Sequence, residues 1–151
     1  MIFDPTVHGP PSPFYTQFLG EAFNRLWSVA SRMDGLLGGQ LRVTSWHRTD
    51  GENRGAGGQA TSQHLLGTAM DVSARHLGVS QALLHQVAVK MGSPFGVGAL
   101  TSEGASVHLQ ALAYGQSAAV LAVLPWLRWT GGAAVSTRVP TSSRSEKPVR
   151  V

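Results

Sequence analysis

SQHLLGTAMDVS, residues 62–73, changes character halfway along. Its first half ends in a turn at Gly67, and from Ala69 onward it alternates. Ala69, Asp71 and Ser73 fall on one face of an extended strand, Met70 and Val72 on the other. A strand with one apolar and one polar face belongs to a sheet covered on one side only. Residues 106–112, SVHLQAL, repeat the pattern: Ser106, His108 and Gln110 face one way, Val107, Leu109 and Ala111 the other.

Upstream, LRVTS (residues 41–45) reads as a strand with Leu41 and Val43 on one face. Before it, a helix is predicted from Phe14 to Leu37. Phe14, Phe18, Ala22, Leu26 and Val29 or Ala30 recur at three- and four-residue steps, Trp27, Met33 and Leu37 widen the stripe, and Gly38–Gly39 stop it. Downstream, Ser80 caps a helix from Gln81 to Met91 that Gly92 closes. Phe95 to Leu100 is a Gly-rich strand candidate. Ser117 to Leu124 is a short apolar helix that Pro125 ends or kinks. These elements make an α+β domain: a small antiparallel sheet with helices packed on one side and a groove on the other.

The segment between the second element and the opening motif, WHRTDGENRGAGGQATSQH (residues 46–64), is polar, Gly-rich and long. Connections beyond about 12–15 residues in a compact domain are usually functional or disordered. This one leads straight into the densest polar cluster, which favours function. Residues 1–13, rich in Pro and Gly, read as an extended arm. Residues 130–151 are polar, basic and without periodicity, and read as a disordered or partner-ordered tail.

A chain of 151 residues argues for one domain large enough to bury its own core. It has no cysteine, so disulfides and thiolate metal sites are excluded and any metal must be held by His, Asp or Glu. The net charge of +4 favours anionic partners. Part of that charge, Arg138, Arg144, Lys147 and Arg150, lies in the tail. The opening residues lack a basic start followed by an apolar run, so no secretory signal is read. No apolar segment reaches the roughly 18 residues of a membrane span. The expectation is a soluble chain synthesised in the cytoplasm.

Two imidazoles and one carboxylate stand out: His64, Asp71 and His108. Such a set suits Zn²⁺, which in catalytic sites takes three protein ligands and leaves the fourth position to water. Each residue also has a plainer reading. His64 would be a turn residue, Asp71 a strand-end cap and His108 a hydrogen-bonded core histidine. Trp46 would line a cleft or pack in the core, and Trp126 and Trp129 would form a lid or a docking patch.

The string SQHLLGTAMDV, preceded by VTSWHRT and a Gly-rich loop and followed by a VHL strand, resembles the D-alanyl-D-alanine carboxypeptidase-like zinc peptidases. That group includes bacterial wall peptidases, phage endolysins and the hedgehog signalling domain. Its hallmark, Ser-x-His-x-x-Gly-x-Ala-x-Asp, is matched by Ser62, His64, Gly67, Ala69 and Asp71. The resemblance covers residues 14 to about 115 and implies a zinc peptidase-like domain over 14–129. It implies zinc ligands at His64, Asp71 and His108. It places Arg48 as an anchor for substrate carboxylate or carbonyl groups and Ser62 as a contact to substrate backbone. Otherwise Arg48 is a surface ion pair and Ser62 a loop hydroxyl satisfying backbone. Zinc would polarise the scissile carbonyl and lower the pKa of water to about 7. A carboxylate would move the proton to the leaving amine.

The chain departs from the pattern where that carboxylate should be. Many members carry an acid three residues before the last histidine, here Ala105; others carry Asp two residues after it, here Gln110. Glu103, in TSEGAS, is the candidate base; otherwise it is a solvated loop carboxylate. The resemblance implies a zinc metallopeptidase acting on peptidoglycan peptides, in a phage lysis or virion-associated setting that brings it to the cell wall. The competing expectation is a weak or inactive zinc-binding structural protein on the same scaffold, with the tail engaging neighbouring subunits. Nucleic-acid binding through the tail is the weakest of the three.

Overall fold

The computed structural model describes residues 1–5, 7, 13–48, 50–58, 62–102, 104–113 and 116–123. His8, Glu103, Trp126, Trp129 and the tail, 130–151, lie outside the described residues. The order is β1 (Ile2–Phe3), α1 (Pro13–Leu36), β2 (Arg42–Ser45), α2 (Asp50–Gly55), a 3₁₀ turn (Gln63–Leu66), β3 (Ala69–Ser73), a second 3₁₀ turn (Arg75–Leu77), α3 (Gln81–Gly92), a third (Ser93–Phe95), β4 (Gly98–Thr101), β5 (Val107–Gln110) and α4 (Gln116–Val123).

The five strands form one sheet in the order β1-β2-β3-β5-β4. The pairs β2–β3, β3–β5 and β4–β5 are antiparallel, as expected. The outermost pair is not. Ile2 and Phe3, inside the stretch read as an arm, pair parallel to Arg42 and Val43. The cause is the connection: α1 carries the chain back along the sheet before β2 begins, and such a crossover is what a parallel pair needs. Among the described residues the sheet is therefore mixed, with one short parallel edge.

Alternation sorts the two faces. Val43, Met70, Val72, Val107 and Leu109 are buried on one side, under Phe23, Leu26, Val29, Ala30 and Met33 of α1 and Leu84 and Ala88 of α3. These α1 positions recur at three and four residues, as an amphipathic helix on a core requires. The α3 start is capped as predicted, with Ser80 Oγ accepting from Leu83 N–H at 3.1 Å. At its end Gly92 has no room for a side chain, because a Cβ there would meet the Val97 carbonyl.

Trp46 joins the core rather than the cleft. It is 2% exposed. Its ring stacks with Phe23 and Trp27 at centroid distances of 5.5 and 5.4 Å. Its indole N–H donates to the Gly67 carbonyl at 3.0 Å, so the burial leaves no unpaired donor. The long connection is not structureless: it contains α2, which the sequence periodicity did not reveal. No helix among the described residues is long and apolar enough to cross a membrane.

Candidate metal centre

The polar face is built by register. Asp71 pairs with His108 across β3–β5, so both side chains leave the sheet on the same side. On the other flank, Val43 pairs with Val72 but Ser45 pairs with Asp71, so one extra residue is inserted into β2. That bulge turns Ser45 onto the face of Asp71, a common device beside functional sites. The spare residue, Thr44, bonds across the floor: its hydroxyl donates to the Asp71 carbonyl at 3.3 Å and meets Ser106 Oγ at 3.2 Å.

His64 reaches this face from the 3₁₀ turn before β3. Ser62 caps the turn, its Oγ accepting from His64 N–H at 3.1 Å, and its O–H remains able to donate. Gly67 ends the turn at φ 73°, where a side chain would be strained. Arg48 N–H donates to the His64 carbonyl at 2.9 Å and ties the turn to the end of β2.

Ring orientation follows from the outer hydrogen bonds. His64 Nδ1 lies 2.6 Å from the Trp46 carbonyl oxygen. A carbonyl only accepts, so Nδ1 carries the proton and Nε2 faces inward, 3.2 Å from Asp71 Oδ1. His108 is turned the other way. Its Nε2 donates to Gln110 Oε1 at 3.1 Å, which leaves Nδ1 inward, 3.0 Å from the same Asp71 oxygen. One donor atom from each of His64, Asp71 and His108 lies within 4.8 Å of the others. Two imidazole nitrogens and a carboxylate facing one another require protons or a cation between them. This donor set fits a divalent ion of zinc type.

Asp71 is the hub. Burial alone would raise its carboxyl, but hydrogen bonds from His108 and His64, together with their charge, outweigh it and hold the group well below the usual carboxylate range. Its other oxygen, Oδ2, faces Arg48 at 3.4 Å. Arg48 is braced as well by Ser45 Oγ at 3.0 Å and by Asn53 Oδ1 of α2 at 3.4 Å. Of its five N–H donors, these bonds use three. Arg48 and Asp71 line an open cleft of about 730 Å³ together with the Gly55–Gly57 turn, Ser102 and Ser106.

A family comparison reaches the same place. The family model described as Peptidase M15, the D-Ala-D-Ala carboxypeptidase-like peptidases, matches residues 15–110. The chain belongs to the peptidase M15 family. No curated protein and no solved structure matches the chain. M15 peptidases are metal-dependent, and the His64–Asp71–His108 group lies wholly inside the matched region.

Three residues of this M15 domain were not singled out in the sequence. Gln63 is 6% exposed; its amide donates to the Leu112 carbonyl at 2.8 Å and its Oε1 accepts from Leu112 N–H at 3.0 Å, fastening the His64 turn to the end of β5. Gln81 of α3 donates to the Ser102 and Ser106 carbonyls at 2.6 and 2.7 Å, closing the β4–β5 loop that contains Glu103. Asn53 braces Arg48. All three are amides whose partners lie outside their own element, and no spacing rule marks them. Only Gln63, at a variable position inside the hallmark, stood near a signal.

Proposed function

We propose that this chain is a zinc peptidase that cleaves peptide bonds of bacterial peptidoglycan, as a carboxypeptidase or an endopeptidase. The observation that carries this reading is the approach of His64 Nε2, Asp71 Oδ1 and His108 Nδ1 to within 4.8 Å of one another on the polar face of the sheet. Family membership supports the reaction class. A zinc ion held there would supply Lewis acidity toward a peptide carbonyl and toward water.

The chain's own residues do the rest. Arg48 presents its remaining N–H donors along the cleft and holds a carboxylate or carbonyl of the substrate. Its braces to Ser45 and Asn53 fix the guanidinium before substrate arrives, which lowers the entropy lost on binding. Ser62 donates its hydroxyl proton to substrate backbone. Glu103 takes the proton from the attacking water and passes it to the leaving amine. Support for Glu103 is its place in the sequence, between Ser102 and Ser106, both of which line the cleft that contains Asp71. The setting at the cell wall, with phage delivery, is part of the same proposal; engagement of neighbouring subunits by the tail belongs to the second reading, that of a structural protein.

Amine release from purified peptidoglycan tests the reading, with and without a chelator, for the wild type and Glu103→Gln. Wild-type activity should vanish on chelation and return with zinc. Glu103→Gln should lose about a hundredfold or more in rate while still binding zinc. A zinc-loaded protein that releases no amine from any wall type would instead mark a metal-binding structural protein. Ala105 and Gln110, at positions where carboxylates were expected, favour that second reading.

A further inference from the structure

The cleft at Asp71 is not the only hollow on the polar face. A second, of about 500 Å³, is lined by Arg42, Thr44, Ser73, Arg75, His76 and Ser106, with Asp4 and Ala105 completing its wall. Ser106 belongs to both hollows, so they share a wall. Asp71 and Ser73 are two positions apart on β3, about 7 Å along one face of the strand. The second hollow is thus the continuation of the first toward the far end of β2 and β3, where Arg42 pairs with Ser73.

Its charge is one-sided. Among the described lining residues there are two guanidiniums and an imidazole against the single carboxylate of Asp4. That carboxylate is engaged by Arg42, Nε to Oδ1 at 3.3 Å. Arg75 and His76 have no carboxylate partner among the described residues, and both are exposed. The backbone beneath them is set. Ser73 Oγ accepts from Arg75 N–H at 3.2 Å, and the 3₁₀ turn closes with Gly78 N–H donating to the Arg75 carbonyl at 2.8 Å. A basic end to a groove whose floor is otherwise hydroxyls is arranged to take an anion.

The geometry points to a second subsite: the Arg42–Arg75–His76 end of the groove binds a carboxylate on the substrate peptide, about two residues from the bond at the metal centre. This rests on the proposed peptidase reading and adds to it a specificity. Stem peptides with a free side carboxylate are preferred over the same peptides amidated. Arg75 is the main determinant, because Arg42 is already shared with Asp4.

Binding tests this independently of cleavage. The probes are two synthetic stem pentapeptides, L-Ala-γ-D-Glu-L-Lys-D-Ala-D-Ala with the glutamyl α-carboxylate free or amidated. Each is titrated by NMR into the full chain loaded with zinc. The free acid should bind about tenfold more tightly, as one charge-assisted contact allows. Arg75→Gln should remove that difference and leave the amidated peptide unchanged, while Arg75→Lys should keep most of it. Raising the salt concentration should shrink the wild-type difference. Equal affinity for the two peptides in the wild type, no measurable binding of either, or a preference that survives Arg75→Gln overturns the subsite. A charge preference without turnover of either peptide keeps the subsite and removes the peptidase reading. Turnover of both at one rate and one affinity does the reverse.

Discussion

The two histidines of the candidate centre face the same aspartate with opposite supports. His64 sits in a 3₁₀ turn, its side chain 3% exposed, and its outer nitrogen is held by a main-chain carbonyl, that of Trp46. The ring of that same tryptophan is stacked in the core. His108 sits on a strand, its side chain 18% exposed, and its outer nitrogen is held by a side chain, Gln110. One candidate ligand is therefore part of the packing of the domain, and the other is held by a single replaceable amide. A main-chain acceptor cannot be exchanged by substitution at its own position; a side-chain acceptor can. Affinity for a metal held there would thus be adjustable at the β5 side and fixed at the turn side.

Alanine at each histidine breaks this comparison most directly. Zinc affinity, measured by chelator competition, should fall by roughly a thousandfold in both His64→Ala and His108→Ala, because each removes one of three ligands. Stability without metal should separate them. His64→Ala leaves a buried void and an unpaired Trp46 carbonyl, for about 2–3 kcal/mol in urea unfolding. His108→Ala leaves no comparable void and should cost less, about 1–2 kcal/mol, mainly the hydrogen bond it makes to Asp71. Equal losses of stability would show that the turn is no more rigid than the strand. At the next level down, Gln110→Ala should weaken zinc binding about 10- to 100-fold with little change in unfolding, since an outer-shell partner orients its ligand without carrying the fold. Gln110→Glu should bind zinc more tightly than wild type, because a carboxylate is the stronger acceptor for the His108 N–H.

What could be read from the chain divides along the same line. Alternation on residues 69–73 and 106–112 placed Asp71 and His108 on one polar face, and the structure pairs them across adjacent strands. From Ala22 onward the three- and four-residue steps of α1 located the buried stripe, though Phe23 belongs to it as well; the side chains of Phe14 and Phe18 lie outside the described residues. Periodicity carries such information because each element repeats its own geometry. The parts that escaped have no period. α2 lies in a Gly-rich stretch too short and polar to show a stripe. The parallel strand Ile2–Phe3 depends on where α1 returns the chain, which no local pattern encodes. The acceptor at Trp46 is a backbone atom, so its residue type could not announce it. Arg48 was reached only through the family resemblance; its braces at Ser45 and Asn53 depended on a bulge and on α2.

Acid offers the mildest way to sharpen the contrast, because it acts on the hub that both histidines share. In the metal-free protein the Asp71 carboxyl is held below its ordinary value by His108 and His64. An unfolded aspartate titrates near about 3.9. A group depressed on folding contributes stability that is fully present above the unfolded value and fades as pH falls toward the folded one, because the unfolded chain takes up the proton first. In the presence of a chelator, the stability difference between the wild type and Asp71→Asn should therefore be constant near pH 5 and shrink steadily below about pH 4. His108→Ala should shrink it already at pH 5, since it removes the stronger of the two hydrogen bonds that depress the carboxyl. If His64→Ala shrinks it more than His108→Ala does, then the turn, and not the strand, dominates the electrostatics of the centre as well as its packing.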